Sequence, residues 1–553
     1  MLDAALRARI VAWCDDDPDQ LTVVQTDELL QRADSGDATA VAALESAFGP
    51  LLEFGTAGLR GEIGPGPARM NRAVVSRAAA GLASYLVQRG GTRAVVGYDA
   101  RHRSIDFALD TCEILQAAGI DAHLLPTTLP TPLLAYAVKA LAFDAGVMVT
   151  ASHNPAADNG YKVYLGDGSQ IIPPADVDIA AEIRRVSTVK DLPRSADFEV
   201  LSHDIVDAYV NAAASIVAPN APRDIRVAST SLHGVGHDTW MAAMRAAGFR
   251  LPSVVLSQAE PDPDFPTVAF PNPEEAGAAD LLLQHAKEVG ADIAIAHDPD
   301  ADRCAVGLVD PRIQSWRLLG GDELGVLLGW WTIERARRFE LPEPTGSFAC
   351  SIVSSTLLLR IAEARGLKAV QTLTGFKWIG RVPELVYGYE EALGYCVAPN
   401  IAADKDGITA ALRVAEMAAA LKAAGLTLID ALEAVYAEFG RHATQPMSIR
   451  MDSPQLIAAA VQRLRANPPV ELAGRAITAI DDLTIGLDGL PPTDGIRLRM
   501  SDGQVIVRPS GTEPKLKCYL EYVSHDDADS AAQVLARTKY ALQAALGVRV
   551  DSQ

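Results

Sequence analysis

The residues best placed to do chemistry lie in Thr150-Ala-Ser-His-Asn-Pro155, where a serine follows the apolar run Gly146-Val-Met-Val149. Such a run, bounded by polar residues, reads as a buried strand. Ser152 then stands on the corner where the chain leaves that strand, and Pro155 restricts the residue before it. A hydroxyl held on such a corner can act as a covalent relay. A Ser-His pair is also ordinary loop or helix-cap material, so the motif needs support from the rest of the chain.

The support comes from His297-Asp-Pro-Asp-Ala-Asp-Arg303, which follows the strand-like Asp292-Ile-Ala-Ile-Ala296. Asp298, Asp300 and Asp302, spaced by two, can aim three carboxylates at one hard divalent cation. A calcium loop of the EF-hand type is excluded, because its sixth position would be Arg303 instead of Gly and its twelfth Val309 instead of Glu. Arg303 would stand beside the metal and could hold a phosphate.

Two more segments complete the set. Arg508-Pro-Ser-Gly-Thr-Glu-Pro-Lys-Leu-Lys517 follows the strand-like Gln504-Val-Ile-Val507. The hydroxyls of Ser510 and Thr512, backbone N–H groups freed by Gly511, and the cations Arg508, Lys515 and Lys517 make a nest for a dianionic phosphate. Tyr387-Gly-Tyr-Glu-Glu-Ala-Leu-Gly394 ends another apolar run with paired carboxylates suited to accepting hydrogen bonds from sugar hydroxyls.

These loops need elements to hold them. Apolar runs of strand length precede polar loops near Val149, Ala296 and Val386, and Ala- and Leu-rich helical stretches such as 105–118, 278–289 and 407–424 lie between them. The alternation predicts parallel sheets with helices on their faces and ligands at the carboxyl ends of the strands. Three α/β domains would each offer one loop to a shared centre. Seams are expected at Asn220-Ala-Pro-Arg-Asp, before the strand Ile225-Arg-Val-Ala, and at Gly320-Gly321, with a last boundary near Gly440. The expected domains are therefore 1–220 with the serine loop, 221–319 with the carboxylate loop, 320–439 with the Glu390 loop, and a smaller α+β domain over 440–553.

The set Phe54-Gly-Thr-Ala-Gly-Leu-Arg-Gly61, Thr150-Ala-Ser-His-Asn-Pro155, Asp298-Pro-Asp-Ala-Asp-Arg303, Gly388-Tyr-Glu-Glu-Ala392 and Arg508-Pro-Ser-Gly-Thr512 resembles the α-D-phosphohexomutases, the phosphoglucomutase and phosphomannomutase superfamily. Five motifs occur in the family's order across nearly the whole chain. The acidic, Trp-bearing leader and Thr372-Leu-Thr-Gly-Phe-Lys-Trp378 are most similar to the longer phosphoglucomutase and phosphopentomutase branch.

The resemblance implies a four-domain α/β fold around a central cleft. It also implies an intramolecular phosphotransferase that interconverts a sugar 1-phosphate with the 6-phosphate or 5-phosphate through a phosphoserine and a bisphosphorylated sugar. Glucose phosphate is the first expectation, with mannose and pentose phosphates as alternatives. In that scheme Ser152 is the relay, and Mg²⁺ sits among Asp298, Asp300, Asp302 and a phosphoserine oxygen, a donor set that suits its preference for six oxygens. Arg508, Ser510, Gly511 and Thr512 would hold the non-reacting phosphate, while Glu390 and Thr374-Gly375 would contact sugar hydroxyls. Lys162 with Arg60 would share proton transfer, Lys405 would act from the opposite side, and His153 would orient the phosphoserine. A sugar bisphosphate such as glucose 1,6-bisphosphate is the implied activator. Many relatives have Ser where this chain has Ala392, which removes one hydrogen bond and leaves the sugar open. Asp99 and Arg101, in Gly97-Tyr-Asp-Ala-Arg, match a further motif and are expected to support the serine loop.

Composition bounds the alternatives. A chain of 553 residues has length for three or four domains, and 49% apolar against 22% charged residues argues against disorder. A formal charge of −21 argues against a nucleic-acid or anionic-membrane partner and requires a local positive site for an anionic substrate. The six cysteines form no CxxC pair and are expected to be reduced, and the start of the chain lacks a basic region followed by an apolar core. These features predict a cytoplasmic monomer or homodimer acting on a small phosphosugar. A metal-dependent phosphatase could use the same serine and aspartates but would not need the Arg508 nest, and a non-catalytic scaffold would not need an intact serine and three aspartates.

Overall fold

A computed structural model of the chain describes residues 2–55, 58–451, 453–487, 489–510, 515–524 and 528–548. It divides into two compact units, residues 1–319 with 393–423, and residues 320–392 with 424–553.

The first unit opens with three helices, Ala4–Asp16, Gln20–Asp34 and Ala38–Ala47. Each follows an aspartate, Asp3, Asp19 or Asp37, whose carboxylate accepts the first free backbone N–H groups. The acidity of the leader is thus partly the chemistry of helix starts. It is tied to the domain that follows by Asp16, 2.8 Å from the Arg77 guanidinium, which also lies over the ring of Trp13.

Behind the leader is a six-stranded sheet in the order Leu59–Glu62, Asp158–Leu165, Ala145–Val149, Arg93–Tyr98, Asp121–Leu124, Glu199–Val200. A second sheet runs Ser315–Leu318, Ala305–Asp310, Ile293–Ala296, Val227–Thr230, Ser253–Val254. Both are mixed, not purely parallel as the alternation predicted. In each, the strand before the functional loop turns straight back: Ala145–Val149 pairs antiparallel with Asp158–Leu165, and Ile293–Ala296 with Ala305–Asp310. The connections, 150–157 and 297–304, are eight residues each, too short for a crossover to a parallel neighbour. The serine loop and the carboxylate loop are therefore equivalent hairpin connections in two sheets.

The strands beneath them are buried on both faces, since every residue of Ala145–Val149 and Ile293–Ala296 is buried. The helices predicted near 105–118 and 278–289 are Ser104–Ala117 and Asp280–Glu288. Gly407–Ala423 is buried at every position from Gly407 to Leu421 and packs on the helices Asp204–Ala214 and Gly236–Ala246. A helix buried all round needs cover on all sides, and it finds that cover in the first unit.

In the second unit, Ser347–Ser351 is flanked in parallel by Lys368–Thr372 and Leu385–Glu390. The helix Gly321–Arg338 starts at the Gly320-Gly321 seam and covers this sheet through Tyr387, whose hydroxyl donates to the Gly325 carbonyl at 2.6 Å. The C-terminal part is an antiparallel sheet, Arg441–Arg450, Lys515–Ser524, Gly503–Pro509, Ile496–Met500, Arg475–Asp482, Glu471–Leu472, with the helices Pro454–Ala466 and Ala528–Leu546 packed on it. Its core includes Val461, Leu464, Val505, Val507, Leu516 and Leu542. All six cysteines are free thiols, five of them buried. Among the described residues, no helix is long and apolar enough to cross a membrane.

Candidate active site

The first unit brings Ser152 and the three aspartates together. Ser152 takes a left-handed backbone, φ 52°, which costs a non-glycine residue on the order of 1–2 kcal/mol and must be held by its surroundings. Its N–H donates to Thr150 Oγ1 at 2.9 Å, and its Oγ donates to Asp298 Oδ2 at 2.8 Å while lying 3.2 Å from His153 Nδ1. Burial beside Arg303 and Arg60 holds the His153 imidazole well below its ordinary pKa, hence neutral, and the tautomer protonated at Nδ1 donates to the serine oxygen.

Asp298, Asp300 and Asp302 are buried, with one oxygen from each within 4.8 Å of the others. Ala301, between two of them, is also left-handed at φ 52°, and this curls the loop so that alternate side chains converge. Gly407 makes room for the curl. A Cβ there would lie 2.3 Å from the Arg303 carbonyl oxygen, while the Gly407 N–H donates to the Ala301 carbonyl at 3.1 Å. His297 Nε2, 3.1 Å from the Gly407 carbonyl, fixes the other side.

Cations surround the triad. Lys162 Nζ donates to Asp300 Oδ2 at 2.7 Å and to Asp302 Oδ2 at 3.1 Å. Burial lowers the Lys162 pKa, but the two carboxylates outweigh it and leave the ammonium above its ordinary value. Lys405 Nζ lies 3.2 Å from the same Asp302 oxygen. The segment carrying Lys405 enters the buried Gly407 helix, which meets the carboxylate loop at Gly407. Burial tends to raise Asp302, and Lys162, Lys405 and Arg303 reverse that to hold it low. Asp298 goes the other way, driven well above the carboxylate range by burial and by Asp300 and Asp302.

A divalent cation fits this donor set. Asp300 Oδ1 and Asp302 Oδ1 are buried and accept no hydrogen bond among the described residues, and three converging carboxylates are a hard-oxygen site whose mutual repulsion a cation relieves. Arg303 closes one side, its N–H on Asp298 Oδ1 at 3.0 Å and its Nε 3.9 Å from Asp298 and Asp302. Arg60, opposite Gly160 in the strand register, donates to Asn154 Oδ1 at 3.3 Å, so it reaches the serine loop.

In the second unit, Glu390 and Gly375 meet: the Gly375 N–H donates to Glu390 Oε1 at 2.6 Å. Gly375 has φ 112°, which only glycine adopts easily, and Thr374 is carried on the same turn. The neighbouring carboxylate has another task, because Glu391 accepts the hydroxyls of Ser351 and Ser354 at 3.0 Å each. Arg508 stands opposite Lys517 across the hairpin, and the Ser510 N–H donates to the Lys515 carbonyl at 2.8 Å. Like charges facing each other across a strand pair are destabilising without an anion. Gly511 and Thr512 lie outside the described residues.

Several partners were not foreseen. Thr131, at the start of the helix Thr131–Ala140, donates its hydroxyl to Asp300 Oδ2 at 2.6 Å and its N–H to the Asp300 carbonyl at 2.9 Å. Asn154, His297 and Gly407 join the same centre. Their signal was spatial, apart from the closeness of Asn154 to Ser152 and of His297 to Asp298 in the chain.

Domain models of phosphoglucomutase/phosphomannomutase match the chain over 51–190 (α/β/α domain I), 207–310 (domain II), 320–439 (domain III) and 447–538 (the C-terminal domain). This four-domain architecture, three α/β/α domains and a C-terminal one, is that of a phosphosugar mutase, an intramolecular phosphotransferase. The chain belongs to the phosphoglucomutase/phosphomannomutase family. It is 46% identical to a probable phosphomannomutase of Haemophilus influenzae over 84% of this chain and 96% of that one. It is 35% identical to a probable phosphoribomutase of Schizosaccharomyces pombe, covering 96% of each, and 35% identical to a phosphoglucomutase of Staphylococcus haemolyticus over 86% and 91%. Among solved structures, a putative phosphomannomutase from Thermus thermophilus aligns with a TM-score of 0.70 at 25% identity, over 89% of this chain and 99% of that one.

Proposed function

We propose that this mutase interconverts a hexose 1-phosphate and its 6-phosphate, with glucose phosphate as the first substrate, by passing the phosphoryl group through Ser152. The observation that carries the reading is the Ser152 hydroxyl held 2.8 Å from Asp298 on a strained corner beside three buried carboxylates. A magnesium ion bound by Asp298, Asp300 and Asp302 would supply charge neutralisation for the transferring phosphoryl group.

The protein's own groups account for the rest. Ser152 carries the phosphoryl group. As the bond from phosphorus to Ser152 Oγ breaks, one forms to the sugar hydroxyl oxygen, and the hydroxyl proton passes to the Lys162 and Arg60 side of the site. Lys162 begins charged against Asp300 and Asp302, so its proton goes to the leaving serine oxygen as it takes up the proton of the sugar hydroxyl. Protonation of the serine oxygen returns Ser152 as a hydroxyl. Neutral His153, with Nδ1 3.2 Å from Ser152 Oγ, donates its Nδ1–H to the serine oxygen and fixes its direction. After the bisphosphorylated sugar reorients, the steps run in reverse from the other phosphate. Arg508, Ser510, Gly511, Thr512 and Lys515 are assigned to the distant phosphate, Glu390 with Thr374 and Gly375 to sugar hydroxyls, and Arg303 to the phosphate nearest the metal.

Pentose 1- and 5-phosphates are a second reading, supported by the similarity over 96% of each chain to the protein named a probable phosphoribomutase. Mannose phosphate is supported in the same way by the 46% identical relative. The test is turnover of glucose, mannose and ribose 1-phosphates with Mg²⁺ and a trace of the matching bisphosphate, following isomer and free phosphate together. Isomer without phosphate release, fastest for glucose, is expected. Release of phosphate alone would overturn the mutase scheme, and faster turnover of ribose 1-phosphate would overturn the hexose assignment.

A further inference from the structure

We infer that Arg101 is the positioning residue that sets the reactive conformation of Ser152, and that it does so by bridging the serine loop to Phe265 in the second domain. The inference rests on the reading of Ser152 as the phosphoryl relay.

One guanidinium collects the serine loop. Arg101 Nη2 donates to the carbonyls of Ser152 and Asn154 at 2.6 Å each, and Nη1 donates to those of Pro155 and Asp158 at 2.7 and 3.1 Å. The four carbonyls converge on one guanidinium, and buried carbonyls need donors. Only a planar fork with several fixed N–H groups can serve four acceptors at once, and a lysine ammonium cannot.

The fork is itself held from two sides. Behind it, Asp99 lies 3.4 Å from Arg101 Nε, accepts the Arg101 N–H at 3.0 Å, and takes the Ser104 hydroxyl at 2.6 Å. Both side chains of the pair are 1% exposed. In front, the guanidinium carbon lies 4.9 Å from the ring centre of Phe265, within reach of a cation–π contact. Phe265 is buried and has φ 45°, a conformation a bulky residue keeps only when its surroundings fix it. A second contact runs alongside, His102 Nε2 to Asp264 Oδ1 at 2.7 Å. One cation therefore joins two strained backbone points, the nucleophile and a residue from the domain that supplies the carboxylate loop.

The direction of Ser152 Oγ towards Asp298 then depends on a residue that touches neither substrate nor metal. The experiment charges the enzyme with labelled sugar bisphosphate and measures transfer from Ser152 to unlabelled sugar phosphate, with steady-state kcat and KM alongside. Arg101→Lys keeps the charge and loses the fork. Its transfer rate and kcat should fall about 100-fold, the scale expected for misplacing a reacting group by about 1 Å, with KM little changed. Phe265→Leu keeps the apolar bulk and should slow transfer about tenfold, the scale of a lost desolvated cation–π contact. Wild-type transfer in Arg101→Lys would overturn the positioning role. Wild-type transfer in Phe265→Leu would overturn the bridge, and this variant decides the matter if Arg101→Lys does not fold. Ser152→Ala, run in parallel, separates the two readings: turnover there would remove the relay itself, whereas an inactive Ser152→Ala with normal Arg101→Lys and Phe265→Leu would remove only the positioning role of Arg101.

Discussion

Ser152 Oγ donates a 2.8 Å hydrogen bond to Asp298 Oδ2, joining residues 146 positions apart in the chain. The bond unites two eight-residue hairpin connections from different sheets, one carrying the nucleophile and the other the carboxylates. Since Asp298 sits above the ordinary carboxylate range while Asp300 and Asp302 are held below it, the oxygen facing the serine belongs to the carboxylate with the greatest need of a cation.

Thr131 should matter to the metal without touching it. Its hydroxyl fixes Asp300 Oδ2 at 2.6 Å, and losing a partner of a ligating carboxylate costs about 10- to 100-fold in metal affinity. Thr131→Val should weaken Mn²⁺ binding by that much in an equilibrium titration, and Thr131→Ser should restore it. Equal affinity in all three proteins would refute the role.

Gly407 should tolerate no side chain. The 2.3 Å approach of a Cβ to the Arg303 carbonyl leaves no room, so Gly407→Ala must push the carboxylate loop away. A loss of about 1–3 kcal/mol in stability, with weaker metal binding and lower kcat, is expected from urea melts and titration. An undisturbed metal affinity would show that the loop does not depend on this contact.

The pH dependence of the second unit should carry the mark of Asp322. Its carboxyl, raised by burial from 3.8 to about 6, accepts the Ser355 N–H at 2.7 Å and the Tyr389 hydroxyl at 2.8 Å. A folded-state pKa above the unfolded one means that the stability it contributes is complete below pH 3.8 and is lost as pH rises through about 6. The shift corresponds to roughly 3 kcal/mol. Asp322→Asn should therefore gain on the wild type between pH 4 and 7 in denaturant melts, and parallel curves would contradict the assignment.

Glu390 and Glu391 should separate in kinetics. Glu390 holds the Gly375 turn at 2.6 Å, while Glu391 is bound by Ser351 and Ser354. Glu390→Gln should raise KM for the sugar phosphate with a smaller effect on Tm, and Glu391→Gln should lower Tm. The reverse pattern would exchange their roles.

Ser152 and the aspartate triad were legible in the sequence because their chemistry is concentrated in short loops at the ends of apolar runs, and a run of strand length announces where a loop will be. The third α/β domain and the C-terminal antiparallel domain were legible for the same reason, the latter through its alternating strands. The mixed sheets were missed because an eight-residue gap full of functional residues was read as a loop at a strand end, although its length already forbids a crossover. The task of Arg101 was visible only as support for the serine loop, since nothing local records four carbonyl acceptors or a phenyl ring 164 positions away. Thr131 and Gly407 left no trace, because their importance lies in what packs against them.

The most direct test of the central claim is the fate of a labelled phosphoryl group. The enzyme, incubated with glucose 1,6-bisphosphate labelled in both phosphates and then freed of it, should carry about one label per chain on the peptide containing Ser152. Mixing with unlabelled glucose 6-phosphate should discharge that label into bisphosphate as fast as the enzyme turns over. Label elsewhere in the chain, discharge slower than turnover, or an Ser152→Ala protein that isomerises near the wild-type rate would contradict the account.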